Sequence, residues 1–158
     1  MRDAIGLRLG TPEDAAALGE VAMRSKAHWG YSAEELERFR AVLNYPPGDV
    51  VARRITVAVA DDIVGFASVD GVPPEGELGN LWVLPELIGT GLGRRLWLDA
   101  IDRARQEGFT ELTIDADPGA EGFYLAMGAE RIGESESEAV PGRMLPRLRY
   151  RVGEGPHS

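Results

Sequence analysis

The chain has 158 residues, of which 44% are hydrophobic and 27% are charged; its formal net charge is −9 and it has no cysteine. This length predicts a single domain over residues 1–158, with residues 153–158 as a disordered tail. The sequence has neither an apolar run of about 20 residues, as a membrane span needs, nor a signal-peptide core, so we expect a cytoplasmic protein without a membrane partner. The acidic balance argues against nucleic-acid binding and favours a cationic partner, and the lack of clustered histidines and cysteines predicts no metal site.

The first half of the chain predicts one strand, two helices and a β-hairpin. Residues 5–9 alternate apolar and polar side chains, which is typical of a strand. Thr11 and Ser32 are each followed three positions later by an acidic residue, and this pattern predicts the starts of two helices. Residues 50–60 and 63–72 are rich in β-branched and apolar side chains and predict an antiparallel hairpin.

The second half predicts a strand, a helix and a second strand, followed by shorter elements. The strand covers residues 78–84, and the helix of about 15 residues has apolar positions from Leu92 to Ala104 that recur three and four apart. Residues 112–116 complete a crossover unit, so the two strands should be parallel neighbours. The remaining predictions are a short helix over 120–127, a strand from Ile132, an exposed loop over 134–140 and a last strand over 145–152. This order predicts a mixed α/β domain around one sheet.

A glycine-rich turn joins the strand over 78–84 to the following helix. Gly89, Gly91 and Gly93 occupy alternate positions, and glycines before a helix N-terminus favour a phosphate site, because free N–H groups and a partial positive charge meet there. The turn is not a Walker A loop, since the only lysine of the chain is Lys26, and Arg94 replaces the third glycine of a dinucleotide fingerprint. From the local pattern alone, a tight loop without a ligand is the alternative.

The connector between the first two helices, residues 24–32, is unusually aromatic and basic. His28, Trp29 and Tyr31 lie together around Gly30. Two interpretations stay open: a helix end whose cations oppose the helix dipole and whose aromatics cover the core, or a wall of a substrate pocket.

The order of elements and two motifs together resemble the GNAT superfamily of acyl-CoA-dependent N-acetyltransferases over nearly the whole chain. The first motif surrounds the glycine turn and is carried by Val83, Pro85, Gly89, Gly91, Leu92, Gly93 and Leu96. The second is Phe123-Tyr124 with Gly128, which is similar to the family's Phe-Tyr-x-x-x-Gly helix. The chain departs from the family at Ile88, which stands in an Arg or Gln slot, and at Asp117 and Ala129, which replace Asn and Phe.

This resemblance implies a fold and a co-substrate. The fold would be a single mixed, mainly antiparallel β-sheet with a central parallel strand pair and helices on both faces. The co-substrate would be acetyl-CoA, with its pyrophosphate on the loop amides and its pantetheine arm between the two parallel strands. The implied cofactor-binding residues are Trp82, Val83, Ile88, Gly89, Thr90, Gly91, Leu92, Gly93, Arg94, Asp117 and Phe123.

The resemblance also implies direct attack by a primary amine of a small molecule or a peptide N-terminus. Tyr124 would protonate the leaving thiolate, Glu77 would act as the base, and Asn80 would orient the amine or a relay water. We expect the acceptor to contact Trp29, Tyr31 and Arg143.

The alternatives without a catalytic role are that Tyr124 is an aromatic residue of the core and that Glu77 is a solvated charge at the end of a strand. The rival functions are a non-catalytic acyl-CoA-binding module and a protein that prefers ATP or NAD to CoA. Proteins of this fold class can form homodimers through their last strands, so we expect a possible homodimer, although the sequence itself shows no interface.

Overall fold

The computed structural model describes residues 5–153, and within them the chain forms seven strands and five α-helices. The strands are β1 (Gly6–Leu9), β2 (Thr56–Val59), β3 (Ile63–Val72), β4 (Glu75–Val83), β5 (Glu111–Asp115), β6 (Glu130–Glu136) and β7 (Met144–Arg151). The helices are α1 (Ala15–Ala27), α2 (Ala33–Val42), α3 (Pro47–Ala52), α4 (Leu92–Gln106) and α5 (Glu121–Ala126).

The strands form one sheet in the order β1-β2-β3-β4-β5-β7-β6. Every neighbouring pair is antiparallel except β4 and β5, which are parallel and are joined by the crossover helix α4. The predicted fold class, with its central parallel pair in a mainly antiparallel sheet, is therefore confirmed.

Helices cover both faces of this sheet. α4 buries a stripe whose members recur three and four residues apart, and this stripe packs with β3 and β4 in the larger core cluster. The buried members of the stripe are Leu92, Leu96, Trp97, Ala100, Ile101 and Ala104. α1 packs on the opposite face through Leu18, Val21 and Ala22, within a second core cluster. The two helices thereby hold β4 in the middle of the fold.

The parallel pair is hydrogen-bonded at one end only. Pairing of β4 with β5 runs from Glu75 opposite Glu111 to Glu77 opposite Thr113 and stops there. Gly79 then forms a bulge against β3, because Ser68 pairs with Asn80 while Val69 pairs with Leu78. The rest of β4 is therefore separated from β5, and a cleft lies between the two strands.

Two sequence predictions of local structure are wrong. Residues 50–52 belong to α3 and not to the predicted hairpin strand, because Pro47 lies in the first turn of a helix that buries Val50. Residues 134–136 are not loop: they extend β6, whose pairing with β7 continues to Glu136 opposite Met144. Backbone pairing does not require apolar side chains, and this strand lies at the exposed edge of the sheet. Of the predicted tail, residues 154–158 lie outside the described residues.

Candidate acyl-CoA site

The cleft between β4 and β5 has a volume of about 550 Å³. The end of α1, the glycine turn and the segment that leads into α5 complete its walls. It brings together most of the predicted site residues, namely Trp29, Asn80, Trp82, Val83, Ile88, Gly89, Gly91, Gly93, Arg94, Asp117, Phe123 and Tyr124. Glu77, Thr90, Leu92, Tyr31 and Arg143 are not among the residues that line it.

The glycine turn presents free backbone amides at one end of this cleft. Gly89 and Gly91 have φ values of +86° and +90°, a region that side-chain-bearing residues rarely adopt. Gly91 is the N-cap of α4, and the first intrahelical bond runs from the Arg95 N–H to the Gly91 carbonyl at 3.1 Å. The amides of the first three helical residues, 92–94, consequently have no acceptor within the helix and point out of its positive end.

Three predicted loop residues differ in whether their backbone amide is available to a ligand. The Thr90 N–H and hydroxyl both donate to the Leu87 carbonyl, at 3.2 and 2.6 Å, so the turn itself uses this amide. The Ile88 N–H likewise donates to the Pro85 carbonyl at 3.2 Å, while its side chain is exposed at the cleft. Leu92 buries its side chain in the core and presents only its amide. The turn therefore uses the amides of Ile88 and Thr90 itself, and the amides of residues 92–94 remain free for a ligand.

The backbone of β4 directs one amide into the cleft. The Leu84 N–H donates to the Val64 carbonyl at 3.0 Å, and the alternation of an antiparallel ladder turns the Trp82 N–H toward β3 and the Val83 N–H away from it. The Val83 carbonyl also points away from β3, and it accepts a hydrogen bond from the Ser25 hydroxyl at 2.8 Å. Of the two predicted positions, Val83 is the one whose N–H faces the gap beside β5.

Tyr124 lies on α5 with its ring against α4 and its edge on the cleft. Its ring centroid is 5.9 Å from that of Trp97 and 5.3 Å from that of Phe123. No group in residues 5–153 accepts a hydrogen bond from its hydroxyl, and burial raises the pKa of this phenol. The hydroxyl therefore keeps its proton at neutral pH, as a general acid must.

Asn80 is held by other side chains. Its Nδ2 donates to the Ser68 hydroxyl at 2.9 Å, and its Oδ1 accepts from the Tyr45 hydroxyl at 2.6 Å and from Trp82 Nε1 at 2.8 Å. Both lone pairs of the amide oxygen are thus engaged, and one N–H remains for a water or an acceptor. Sequence reasoning identified Asn80 but not these partners.

Glu77 is the last residue of β4 that pairs with β5, one position before the cleft begins. Its carboxyl is half-buried, and burial raises its pKa, with Asp115 and Asp70 repelling the charged form further. A carboxylate whose pKa is raised is a better base than an exposed one. Its position and protonation suit a base that acts through water.

Four side chains from separate parts of the chain meet where the end of α1 borders the cleft, and we call them the Lys26 cluster: Lys26, Tyr31, Asp117 and Arg143. Lys26 Nζ lies 2.9 Å from Asp117 Oδ2, the Tyr31 hydroxyl donates to the same oxygen, and Arg143 Nη2 donates to the Tyr31 hydroxyl. Burial raises the pKa of Tyr31 to about 12. The structure thus joins Asp117, predicted for the cofactor, to Tyr31 and Arg143, predicted for the acceptor.

The sequence analysis did not identify Lys26 as a site residue, although two features of the sequence distinguish it. It is the only lysine of the chain and it lies in the aromatic connector. The ammonium lies 4.3 Å from the centroid of the Phe39 ring, and burial lowers its pKa while Asp117 opposes that change. Trp29, which is 45% exposed, lines the cleft beside Gly119. The connector thus contributes Lys26 and Trp29 to the wall of the cleft.

The family model described as the Acetyltransferase (GNAT) family matches residues 18–129. The chain belongs to this family. It is 36% identical over 107 residues to the mycothiol acetyltransferase of Streptosporangium roseum, a match that covers 63% of this chain and 31% of that protein. The aligned part of the chain therefore spans about a third of that relative's length.

Solved structures show the same fold over nearly the whole chain. The PaiA N-acetyltransferase of Thermoplasma acidophilum, in complex with coenzyme A, has a TM-score of 0.76 at 20% identity and covers 93% of this chain and 98% of its own. YjaB of Escherichia coli has a TM-score of 0.69 at 25% identity, with 94% and 98% covered. A GCN5-related N-acetyltransferase of Rhodopseudomonas palustris has a TM-score of 0.77 at 24% identity, with 92% and 94% covered. The predicted family resemblance is confirmed.

Two further findings concern the described part of the chain. No helix within residues 5–153 is long and apolar enough to cross a membrane. Over the same residues, no group of three or more His, Cys, Asp and Glu side chains is arranged to hold a metal ion.

Proposed function

We propose that this protein is an acetyl-CoA-dependent N-acetyltransferase that acts on a primary amine of a small molecule or a peptide by direct attack. The observation that carries the proposal is the half-paired β4–β5 junction, which has free amides of α4 at one end and the Tyr124 hydroxyl on its wall. Together these features suit the binding of a thioester and the protonation of a departing thiolate.

The phosphate end of the cleft suits the pyrophosphate of CoA. The amides of residues 92–94 and the positive end of α4 favour an anion, and Arg94 lines the same end of the cleft. Among residues 5–153, no carboxylate lies within 4.0 Å of the Arg94 guanidinium, so it is available for a phosphate. The unpaired edges of β4 and β5 would accept the amides of the pantetheine arm as an added strand does.

The proposed chemistry uses two groups that line the cleft, the Val83 N–H and the Tyr124 hydroxyl, and the carboxyl of Glu77, one position before the cleft begins. The Val83 N–H would donate to the thioester oxygen as negative charge develops on it. The amine nitrogen forms a bond to the carbonyl carbon while the carbon–sulfur bond breaks, and the Tyr124 hydroxyl protonates the departing thiolate. Glu77 would remove the proton that the amine loses, through a water held near Asn80.

Glu77→Gln is expected to lower kcat/KM and to raise the free energy of unfolding at pH 7. The pKa of Glu77 is higher in the folded chain than in the unfolded one, so the folded protein binds more protons between those two values and loses stability as pH rises through them. Glutamine carries no charge at any pH, so the variant avoids this loss of stability. The difference in the free energy of unfolding between the variant and the wild type should therefore shrink as the pH falls toward 4. Urea unfolding at pH 7 and pH 4, with CoA-release kinetics, measures both effects.

Glu75→Gln is the matched control, because Glu75 lies two positions earlier on β4 and is exposed. We expect it to change neither quantity. An unchanged kcat/KM in Glu77→Gln would leave Glu77 as a strand-end charge and would assign the base elsewhere.

The first test of the proposed function is calorimetric titration with acetyl-CoA, with CoA, ATP and NAD as comparators. Micromolar binding of acetyl-CoA and CoA is expected, with ATP and NAD much weaker, and a screen of amines for CoA release should then show turnover. Preference for ATP or NAD would contradict the proposal. Tight acetyl-CoA binding without CoA release for any amine would instead support a non-catalytic acyl-CoA-binding module.

A further inference from the structure

The Lys26 cluster carries an excess of positive charge. Lys26 and Arg143 are cations, Asp117 is the one carboxylate among the four, and Tyr31 is neutral at pH 7 with a pKa of about 12. Among residues 5–153, Asp117 is the only carboxylate within 4.0 Å of either cation, at 2.9 Å from Lys26 and 3.9 Å from Arg143. The Lys26 cluster therefore holds two cations and one carboxylate, with no second carboxylate within 4.0 Å among residues 5–153.

The hydrogen bonds show the same excess of donors. Asp117 Oδ2 is shared by Lys26 and the Tyr31 hydroxyl, with Arg143 Nη2 3.9 Å away, and Asp117 Oδ1 accepts from the Gly119 N–H at 3.0 Å. Arg143 Nη1 is buried and has no acceptor among the described residues. A buried donor without a partner carries a free-energy cost that an incoming acceptor would relieve.

Access to the cluster comes from the cleft. Lys26 and Asp117 line it, and Arg143 stands behind them with its side chain 22% exposed and its guanidinium over the Tyr31 ring. Arg143 lies between β6 and β7, so the guanidinium can turn about its own side-chain bonds without disturbing the sheet core. An anion in the cleft would contact Lys26, and the Arg143 guanidinium would turn toward it.

We propose that the acceptor is an amino-acid-type molecule whose carboxylate binds to Lys26 and Arg143 while its amine faces the thioester. This inference rests on the proposed function and specifies its substrate class. One net positive charge matches the single charge of a carboxylate better than the double charge of a phosphate. The formal charge of −9 favours a cationic partner at long range, but salt screens charges beyond about 8 Å and the local cations decide what binds in the cleft.

The test compares free amino acids with their C-terminal amides, which keep the amine and the side chain but lack the negative charge. The readouts are CoA release and the mass of the acetylated product. We expect the wild-type protein to favour the acid over its amide by about tenfold or more in kcat/KM, because a neutral amide cannot accept charge-assisted hydrogen bonds as a carboxylate does. Arg143→Gln and Lys26→Met should each reduce this ratio toward one, mainly through KM, and Arg143→Lys should restore part of it.

Arg149→Gln is the matched control. Arg149 has a similarly exposed side chain at 28%, bonds to Glu130 at 2.6 Å and does not line the cleft, so the acid-to-amide ratio should stay as in the wild type. The affinity for acetyl-CoA and the melting temperature are measured for each variant, because a purely structural role would change those and not the ratio.

The outcomes separate the two proposals. Amides acetylated as well as acids, a ratio that Arg143→Gln and Lys26→Met leave unchanged, or turnover only with amines that lack a carboxylate would each overturn the acceptor inference and leave the proposed function standing. No acetyl-CoA binding, or no turnover with any acid, amide or other amine, would overturn the proposed function itself.

Discussion

Gly91→Val is expected to weaken acetyl-CoA binding by about tenfold or more. Gly91 has a φ of +90° at the N-cap of α4, and a left-handed conformation costs an L-residue roughly 1–2 kcal/mol, more when the side chain is β-branched. If the loop relaxes to avoid that strain, the amides of residues 92–94 turn away from the phosphate position. About 1.4 kcal/mol corresponds to a factor of ten in affinity. Calorimetric titration with acetyl-CoA measures the change.

Gly133→Val is the matched control, because it makes the same substitution at a glycine outside the glycine turn. Gly133 lies in β6, has an ordinary φ, and an added Cβ would meet no atom within 4 Å. We expect its affinity for acetyl-CoA to equal that of the wild type. If Gly91→Val bound acetyl-CoA as tightly as Gly133→Val, the glycine turn would not be the phosphate site.

Tyr124→Phe is expected to lower kcat by about tenfold or more while acetyl-CoA binding is kept. The substitution removes only the hydroxyl, so the ring contacts with Trp97 and Phe123 remain and the fold should be unaffected. General acid catalysis contributes about 10²- to 10⁴-fold, and water that enters the cleft can replace part of it. Steady-state CoA release, with the affinity for acetyl-CoA measured in parallel, separates the chemical step from binding.

Tyr150→Phe is the control for this experiment. Tyr150 also packs on Trp97, at 4.9 Å between ring centroids, but it does not line the cleft. Its kcat should match that of the wild type. An unchanged kcat in Tyr124→Phe would remove this hydroxyl from the mechanism and would leave Tyr124 as a core aromatic.

Local patterns predicted most elements of the fold because their physical causes are local. The Ser32 hydroxyl accepts from the Glu35 N–H at 3.1 Å, which is the cap that the sequence pattern indicated. The buried stripe of α4 follows the predicted spacing from Leu92 to Ala104. Prediction failed at residues 50–52, where β-branched residues lie in a short helix because burial of Val50 outweighs their strand preference.

The residues of the candidate site likewise fall into a part that local sequence predicts and a part that depends on long-range contacts. The glycine turn could be identified from sequence, because the positive φ values and the helix start depend on neighbouring residues. The Lys26 cluster could not be predicted, since its three hydrogen bonds join residues that are 86 to 112 positions apart in the chain. Nothing in the local pattern at Lys26 indicates that Asp117 lies 2.9 Å from its ammonium.

The sequence by itself determined most of the order of elements, the family resemblance and the position of the glycine turn, because periodicity, caps and glycine conformations act over a few residues. The tertiary structure alone decided where β4 leaves β5, which amide of β4 faces the cleft and which charges meet in the Lys26 cluster. These features depend on strand register and on the packing of α1 and α4 against opposite faces of one sheet, and such long-range contacts are settled only when the whole chain folds.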